Sequence, residues 1–279
     1  MGDSGVNVQS LKGQVVGSTP LPSNDPNEVY VLITGFGPFK TNLVNASYLI
    51  ASSLPSSLTF PSKPSATAEG SSHAPRQISL HIHPTPVPVA YSSVRSLLPT
   101  ILDEYAKDHG GRRPDIIIHM GIASTRRHYS VETQAHRDSY HISDVKGKSG
   151  YEDGEKVWRD LDLPPLLRPG PAADGSSKTK SQVQPYPPDS HFLAAWKSFC
   201  PPDTDVRLSH DAGRYLCEFI YYSSMSLALQ AGEDRNTVFF HVPALYEAED
   251  IEFGKEVAIG LIKALVACWI DEKRDVATV

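Results

Sequence analysis

The stretch Val29-Tyr-Val-Leu-Ile-Thr34 is a continuous apolar run that ends at Gly35. An unbroken apolar run of this length is typical of a strand buried on both faces of a parallel sheet. Helical spacing of apolar residues follows from Asn45 and stops at Pro55. A buried strand followed by a helix favours an α/β fold.

The rest of the chain continues this alternation. The patterns predict further strands at about 78–82, 115–120, 128–134, 205–208 and 237–242, and helices at about 91–109, 191–199, 214–229 and 251–270. We therefore expect a single α/β domain with a largely parallel, mixed twisted sheet and helices on both faces. Functional groups in such folds gather at the carboxyl ends of strands.

Composition separates this domain from segments without apolar periodicity. We predict a disordered tail over residues 1–27, the α/β domain over 28–271 and a C-terminal tail over 272–279. Two stretches rich in Ser, Pro or Gly, about 55–76 and 146–189, are predicted to be insertions. We expect the first of them to make no contribution to the core.

The charge balance argues against polyanionic partners. The chain has 279 residues, with 26 Lys and Arg against 32 Asp and Glu, and a formal net charge of -6. No nucleic-acid or membrane-surface partner is predicted. The longest apolar run, residues 257–270, contains Lys263 and is shorter than the roughly 20 residues that cross a bilayer. The N-terminal residues carry no secretory pattern, so no leader is expected.

The cysteines and histidines indicate neither a disulfide framework nor a metal site. Cys200, Cys217 and Cys268 are odd in number and widely spaced, which predicts a reduced, cytoplasmic protein. His81 and His83 share one face of a strand but lack a third ligand at a diagnostic spacing, so a polar strand face is expected. We predict no metal and no cofactor.

The loop Gly35-Phe-Gly-Pro-Phe-Lys40 follows the first strand. Lys40 stands where a dinucleotide-binding GxGxxG motif has its third glycine, and Pro38 removes an amide, so a dinucleotide site is not predicted. Phe36 and Phe39 either clamp a small flat ligand or pack beneath the loop. Their spacing leaves both interpretations open.

Cys217 differs from the other two cysteines in its placement. It follows a predicted strand and a turn at residues 211–213, and it falls in the first turn of a predicted helix. Free amides and the helix dipole favour a thiolate at such a position, which suits a nucleophile. A small buried hydrophobic residue is the alternative interpretation.

His241 and Glu132 are candidate partners for a nucleophile. His241 lies at the carboxyl end of a predicted strand, where a general base is expected in this topology. Glu132 lies in a predicted extended stretch and could orient an imidazole. A core histidine and a solvated carboxylate are the alternatives that the residues alone leave open.

Four segments together match the motifs of one family. They are Thr34-Gly-Phe-Gly-Pro-Phe39 with Val44-Asn-Ala-Ser47, Pro114 to Gly121 leading into Val131-Glu132, Asp211-Ala-Gly-Arg-Tyr-Leu-Cys217, and Phe240-His-Val-Pro243. On these motifs the chain resembles the pyroglutamyl peptidase I, or pyrrolidone-carboxylate peptidase, family of cysteine peptidases. The resemblance covers roughly residues 28–145 and 204–268, and the order Glu, Cys, His is the order in that family.

The resemblance implies a cysteine-type omega peptidase. Such an enzyme removes an N-terminal pyroglutamyl (5-oxoprolyl) residue from peptides through a thioester intermediate. The resemblance implies that Cys217 is the nucleophile, that His241 is the general base and then acid, and that Glu132 orients the imidazole.

The resemblance also implies how the substrate is held. Phe36 and Phe39 would flank the pyroglutamyl ring, and Asn45 would help to bind it or to brace the site. A neutral, planar lactam suits aromatic walls with a few polar groups. The implied partners are peptides with N-terminal pyroglutamate, and the oligomeric state is left open.

One position departs from the family pattern. Bacterial members carry an Arg about ten residues after the catalytic Glu, linked to the oxyanion site, whereas Ile142 stands at that spacing here. Arg137 or His141 could substitute for it, or backbone amides alone could hold the oxyanion.

Two other functions are alternatives to a peptidase. One is a catalytically weak homologue that binds oxoproline-like peptide ends as a regulatory or binding protein. The other is a nucleoside phosphorylase, which shares the general architecture but needs a phosphate-binding arginine or glycine cluster that is not evident here.

Overall fold

The structure is a computed structural model that describes residues 28–39, 42–60, 75–172 and 188–271. The tails predicted over 1–27 and 272–279 lie outside the described residues, as does Lys40. Residues 61–74 and 173–187, which fall within the two predicted insertions, lie outside them too.

Seven strands form the main sheet. In spatial order they are β2 (Ser57–Phe60), β3 (Arg76–Ile82), β1 (Val29–Gly35), β4 (Ile116–Ile122), β9 (Thr237–Val242), β5 (Tyr129–Glu132) and β8 (Val206–Ser209). The pairs β1–β3, β1–β4, β4–β9 and β5–β8 are parallel. The pairs β2–β3 and β5–β9 are antiparallel. The prediction of a largely parallel, mixed sheet is confirmed.

Helices cover both faces of this sheet, as predicted. One face packs against α1 (Ala46–Ser53), α4 (Ser190–Phe199) and α6 (Ala248–Leu265), and the other against α2 (Tyr91–Asp108), α3 (Lys156–Asp160) and α5 (Leu216–Gln230). Within the described ranges, no helix combines the length and apolar character needed to span a bilayer.

Strand β1 shows why its sequence is a continuous apolar run. Val29, Val31 and Ile33 belong to the core on the α1, α4 and α6 side, whereas Tyr30 and Leu32 belong to the core on the α2 and α5 side. Both faces of the strand are buried, so no position alternates to a polar residue.

The expectation that residues 55–76 contribute nothing to the core is wrong at both ends of the segment. Residues 57–60 form β2, which pairs with β3 through Leu58 opposite Ile78. Phe60 is 7% exposed and its ring lies 5.5 Å from that of Phe199. Arg76 begins β3. A strand of four residues amid serines and prolines is too short to show a period.

The predicted insertion at 146–189 also contains regular structure. It includes the short helix α3 and the strand β7 (Leu166–Leu167), which pairs with β6 (Ala135–His136) in a separate two-stranded ribbon. Trp158 on α3 is fully buried, and its ring lies 4.9 Å from Phe219 and 4.5 Å from Tyr222. This segment therefore covers α5, the helix that carries Cys217.

Candidate active site

Two neighbouring strands bring Glu132 and His241 together. Strands β5 and β9 run antiparallel, so Ser130 stands opposite His241 and Glu132 stands opposite Phe239. The Glu132 side chain reaches diagonally across the pair, and its Oε1 lies 2.7 Å from Nδ1 of His241. Both are buried, with 0% of Glu132 and 4% of His241 exposed. The alternative of a solvated carboxylate at Glu132 does not hold.

The surroundings of Glu132 keep its carboxyl group ionised. Burial by itself raises the pKa of a carboxyl group, because desolvation disfavours the charged form. Here the hydrogen bond and charge of His241, with further hydrogen bonds from Ser209 and Arg126, outweigh burial, so the pKa of Glu132 lies below its ordinary value. An ionised Glu132 accepts a hydrogen bond from Nδ1–H of His241, which leaves Nε2 as the nitrogen that can take up a proton.

Cys217 is the second residue of α5 and so lies in the first turn of a helix, as the sequence predicted. The loop between β8 and α5 turns through Gly213 and Arg214, whose φ angles of 93° and 48° are both in the left-handed region. The amides of the first turn of a helix have no carbonyl partner within it, and they carry the positive end of the helix dipole. Cys217 lies in this first turn, so its side chain is attached close to these amide groups.

Gly121 places the Cys217 thiol beside the strand of His241. A Cβ at Gly121 would lie 2.9 Å from Sγ of Cys217 and 2.7 Å from Cζ of Phe239. Gly121 on β4 is the register partner of His241 on β9, and the rings of Phe239 and His241 lie 4.7 Å apart. The thiol and the imidazole therefore flank the same glycine, on the sheet face covered by α5.

Burial and charge hold Cys217 as a neutral thiol in this site. Burial, with a smaller contribution from the Glu132 carboxylate, raises the pKa of Cys217 to about 12, although Arg126 and a backbone hydrogen bond oppose the change. A thiol of this kind needs a base to remove its proton at the moment of attack. His241 lies on the strand next to Gly121, so its buried imidazole is the candidate for that base.

Glu218, which follows Cys217 in the sequence, stabilises the turn that precedes α5 through hydrogen bonds. Its Oε1 accepts hydrogen bonds from Nδ1 of His136 (2.7 Å) and Nη1 of Arg214 (2.9 Å), and its Oε2 accepts one from the Arg214 amide (3.2 Å). Glu218 is fully buried. Spacing along the sequence does not predict this network. The one feature that points to it is an acidic residue in the first turn of a predicted helix.

Arg126 is a further residue that the sequence analysis did not identify. It lies in the loop between β4 and β5, and its Nη1 donates to Oε1 of Glu132 at 2.8 Å and to Oγ of Ser130 at 2.6 Å. Its Nη2 donates to the carbonyl oxygen of Asp211 at 3.0 Å. The one feature of the sequence that points to this contact is the position of Arg126, six residues before Glu132 in the segment that joins two predicted strands.

A narrow aromatic pocket adjoins Cys217. Phe36, Phe39 and Tyr215 line it with Cys217, together with Asn45, Val89, Ile122 and Leu216. Phe36 is 3% exposed and belongs to the core, whereas Phe39 is half-buried and its ring lies 6.3 Å from that of Tyr215. Phe36 therefore both packs beneath the loop and forms a wall of the pocket.

Asn45 braces the loop that carries the two phenylalanines. It caps α1, and its Oδ1 accepts hydrogen bonds from the amide (3.1 Å) and the hydroxyl (2.7 Å) of Ser47. Its Nδ2 donates to the carbonyl oxygen of Gly37 at 2.8 Å. These contacts fix the loop between Phe36 and Phe39.

Arg137 is committed to contacts away from Cys217. Its Nη1 donates to the carbonyl oxygen of Leu163 at 2.6 Å, and its Nε pairs with Asp138 at 3.1 Å. His141 and Ile142 are exposed. The structure therefore does not place Arg137 at the nucleophile.

His81 on β3 makes packing contacts, whereas His83 follows the strand and its Nε2 lies 3.2 Å from Oγ1 of Thr85. The ring of His81 lies edge-on to Tyr105 at 5.2 Å and to His109 at 5.4 Å. Over the described ranges, no group of three or more His, Cys, Asp or Glu side chains is arranged to hold a metal ion.

The fold and the geometry together define a class of protein. A cysteine at a helix N-terminus, next to an imidazole hydrogen-bonded to a buried carboxylate, is the arrangement of a cysteine hydrolase. The chain is 26% identical to pyroglutamyl-peptidase 1 of Rattus norvegicus over 227 residues, which covers 79% of this chain and 83% of that protein. It is 23% identical to pyrrolidone-carboxylate peptidase of Pyrococcus furiosus over 225 residues, covering 81% and 86%.

Solved structures give the same result for the fold. A mutant pyrrolidone carboxyl peptidase from Pyrococcus furiosus superimposes with a TM-score of 0.58 at 21% identity, covering 86% of this chain and 99% of that one. The enzyme from Thermococcus litoralis gives a TM-score of 0.56 at 19% identity, covering 88% and 95%. No protein-family model matches the chain. The chain is thus similar in sequence to pyroglutamyl peptidases and has their fold, which confirms the resemblance noted from its motifs.

Proposed function

We propose that the protein is a cysteine-type pyroglutamyl peptidase, which hydrolyses the bond after an N-terminal pyroglutamyl residue. The observation that carries the proposal is the buried Glu132–His241 pair beside Cys217, 2.7 Å between Oε1 and Nδ1, in a chain whose relatives are named pyroglutamyl peptidases. The pocket next to Cys217 supports the same substrate class, because its walls are aromatic and aliphatic.

Acylation begins with the thiol of Cys217. Nε2 of His241 takes the Sγ proton while Sγ attacks the carbonyl carbon of the pyroglutamyl residue. The negative charge on the carbonyl oxygen is held by the first-turn amides of α5, which lack helical carbonyl partners. Glu132 stabilises the imidazolium that forms, and it remains ionised throughout.

The thioester then forms and is hydrolysed. His241 returns its proton to the amine of the leaving peptide as the C–N bond breaks, which leaves the pyroglutamyl group on Sγ. A water molecule, deprotonated by His241, attacks the thioester carbonyl, and Sγ leaves and regains its proton from the imidazolium. The products are pyroglutamate and a peptide with a free N-terminal amine.

The substrate ring would bind against the aromatic walls of this pocket, which must move apart to admit it, because the free volume there is only about 10 Å³. Phe39 and Tyr215 offer ring faces that pack on a planar lactam, and Phe36 forms the buried wall behind them. Asn45 acts through the loop that it braces rather than through the reacting atoms. A lactam lacks a charged amine, so the pocket needs no acidic group.

The deciding experiment compares three fluorogenic substrates that differ only in the N-terminal residue: pyroglutamyl, prolyl and glutamyl. We expect release of the fluorophore from the pyroglutamyl substrate, with kcat/KM far above the values for the other two. Tight binding of a pyroglutamyl peptide without turnover would instead support a regulatory homologue. Equal turnover of prolyl and pyroglutamyl substrates would contradict the proposed specificity.

The proposal also covers the binding partners and the cellular location that the sequence predicts. Peptides with N-terminal pyroglutamate are the proposed partners. A cytoplasmic location, without nucleic-acid or membrane partners, fits the acidic charge balance and three cysteines that form no disulfide.

A further inference from the structure

Arg126 connects the candidate carboxylate to the loop that leads to the candidate nucleophile. One guanidinium group contacts Glu132, Ser130, Ser209 and the main chain of Asp211. The first two residues lie on β5, and the other two lie at the end of β8 and in the loop before α5. The contact therefore joins two segments of the site that are distant in sequence.

We propose that Arg126 is a positioning residue for the proposed reaction: it ties Glu132 to the loop that carries Cys217 and keeps this carboxylate in the ionised form that His241 requires. This inference rests on the proposed function. Arg126 does not touch the reacting atoms in the mechanism above. It acts through Glu132 and through the loop.

The geometry suits arginine in particular. A guanidinium group presents several N–H donors in a rigid plane, so one side chain satisfies acceptors on two segments at once. The amide of Arg126 donates to the carbonyl oxygen of Ala123 at 2.9 Å, a turn that directs the side chain back over the strand ends. Its side chain is 24% exposed, whereas that of Glu132 is fully buried.

Arg126 and His241 share one oxygen of Glu132. Nη1 of Arg126 lies 2.8 Å and Nδ1 of His241 lies 2.7 Å from the same Oε1. A permanent positive charge on this oxygen favours the ionised carboxylate and reduces its pull on the imidazole proton. Arg126 therefore sets both the charge state and the basicity of the group that orients His241.

Ser209 on β8 hydrogen-bonds to Glu132, and the titratable or charged groups that face Glu132 come from three other packed segments. They are His241 on β9, Arg126 and His128 from the β4–β5 segment, and Cys217 and Tyr221 on α5, with the Tyr221 hydroxyl donating to the main-chain oxygen of Glu132 at 3.0 Å. Arg126 is the permanently charged cation among these groups. Without Arg126, burial, His241 and the Ser209 hydrogen bond set the pKa of Glu132, so this pKa rises. The pKa of Cys217 rises as well, because Arg126 lowers it.

The experiment compares Arg126→Gln and Arg126→Lys with Arg127→Gln, a matched control because Arg127 is the next residue and is exposed. kcat and KM for a pyroglutamyl substrate are measured across pH, along with the pH dependence of Cys217 alkylation by iodoacetamide. For Arg126→Gln we expect kcat to fall about 10- to 100-fold with little change in KM, the size expected for a lost hydrogen bond between charged groups. The acidic limb of the kcat profile should move to higher pH, and alkylation should need higher pH.

Arg126→Lys should restore part of the rate and most of the acidic limb, because it returns the charge without the planar fork. A pH profile of Arg126→Gln that coincides with the wild-type profile would overturn the inference, as would an equal change in Arg127→Gln. A rate loss uniform across pH, with lowered Tm, would show a structural role only and would also overturn it. If the wild-type protein cleaves no pyroglutamyl substrate, the proposed function fails, and the alkylation profiles still decide the role of Arg126.

Discussion

Glu132 and His241 form a diagonal pair across two antiparallel strands, with Oε1 and Nδ1 2.7 Å apart. The residue directly opposite Glu132 is Phe239, and the residue directly opposite His241 is Ser130. Diagonal neighbours in a sheet are within reach of long side chains only, so glutamate spans this gap where aspartate would not. The pair fixes the His241 tautomer and directs Nε2 away from Glu132.

Glu132→Gln tests this pair directly. An amide can present its N–H₂ group to Nδ1 and select the wrong imidazole tautomer, and it cannot stabilise an imidazolium. We expect kcat for a pyroglutamyl substrate to fall about 10²- to 10⁴-fold, by analogy with the carboxylate of a serine-protease triad. Steady-state kinetics with the folded variant provide the measurement. Near wild-type kcat would exclude Glu132 from catalysis.

The same pair predicts a pH dependence of stability. The pKa of Glu132 in the folded protein lies below its ordinary value of 4.5. A group with a depressed folded pKa contributes stability above its unfolded pKa, and the contribution is lost as pH falls through the folded pKa. Tm of the wild type should therefore exceed that of Glu132→Gln near neutral pH, and the difference should shrink below about pH 4.5. A constant difference down to about pH 3 would contradict this.

Cys217→Ser should abolish turnover, because an alcohol is a much weaker nucleophile than a thiol with a neighbouring base. Cys200→Ser and Cys268→Ser are matched controls. Cys200 and Cys268 both pack in the core on the α1, α4 and α6 face of the sheet, whereas Cys217 lies on the α5 face, so both variants should keep most activity. Steady-state kinetics measure the turnover of each variant, and iodoacetamide labelling of the intact protein measures the reactivity of its thiols. Full activity of Cys217→Ser would remove Cys217 as the nucleophile.

Gly121→Ala should displace the thiol of Cys217 from the side of strand β4. Its Cβ would lie 2.9 Å from Sγ of Cys217 and 2.7 Å from the ring of Phe239, closer than real Cβ contacts allow. Either the thiol or the ring must move, and overpacking of this kind costs about 1–3 kcal/mol. We expect lower Tm and at least a tenfold loss of kcat/KM. Unchanged Cys217 alkylation and turnover would mean that the thiol is not held against Gly121.

The sequence predicted the parts of the fold that bury continuous or periodic apolar residues. The run 29–34 and the helix that carries Cys217 were both located, because burial requires those patterns. The four residues of β2 were missed, because so short a strand carries no period. Arg126 and Glu218 were missed for a different reason: their importance depends on which polar groups the loops bring together, and spacing along the chain does not encode that contact.

Two phenylalanines that looked equivalent in sequence differ in the structure. Phe36 is 3% exposed and belongs to the core, so Phe36→Ala should lower Tm as well as activity. Phe39 is half-buried, packs at the edge of both cores and lies 6.3 Å from the ring of Tyr215, so its truncation should lower Tm less than that of Phe36. Phe39→Ala is therefore the cleaner test of the aromatic clamp.

Phe39→Ala should weaken use of the pyroglutamyl substrate and leave the chemistry of Cys217 intact. Loss of one aromatic wall should cost about 1–3 kcal/mol in kcat/KM, or about 5- to 150-fold. Alkylation of Cys217 by iodoacetamide should proceed at close to the wild-type rate, because the thiol, His241 and Glu132 do not depend on this ring. Measuring both quantities, with Tm as a control for folding, separates substrate contact from structure. If Phe39→Ala hydrolyses the pyroglutamyl substrate like the wild type, the lactam ring is recognised elsewhere, and Tyr215 becomes the next residue to truncate, because it faces Phe39 across the same pocket.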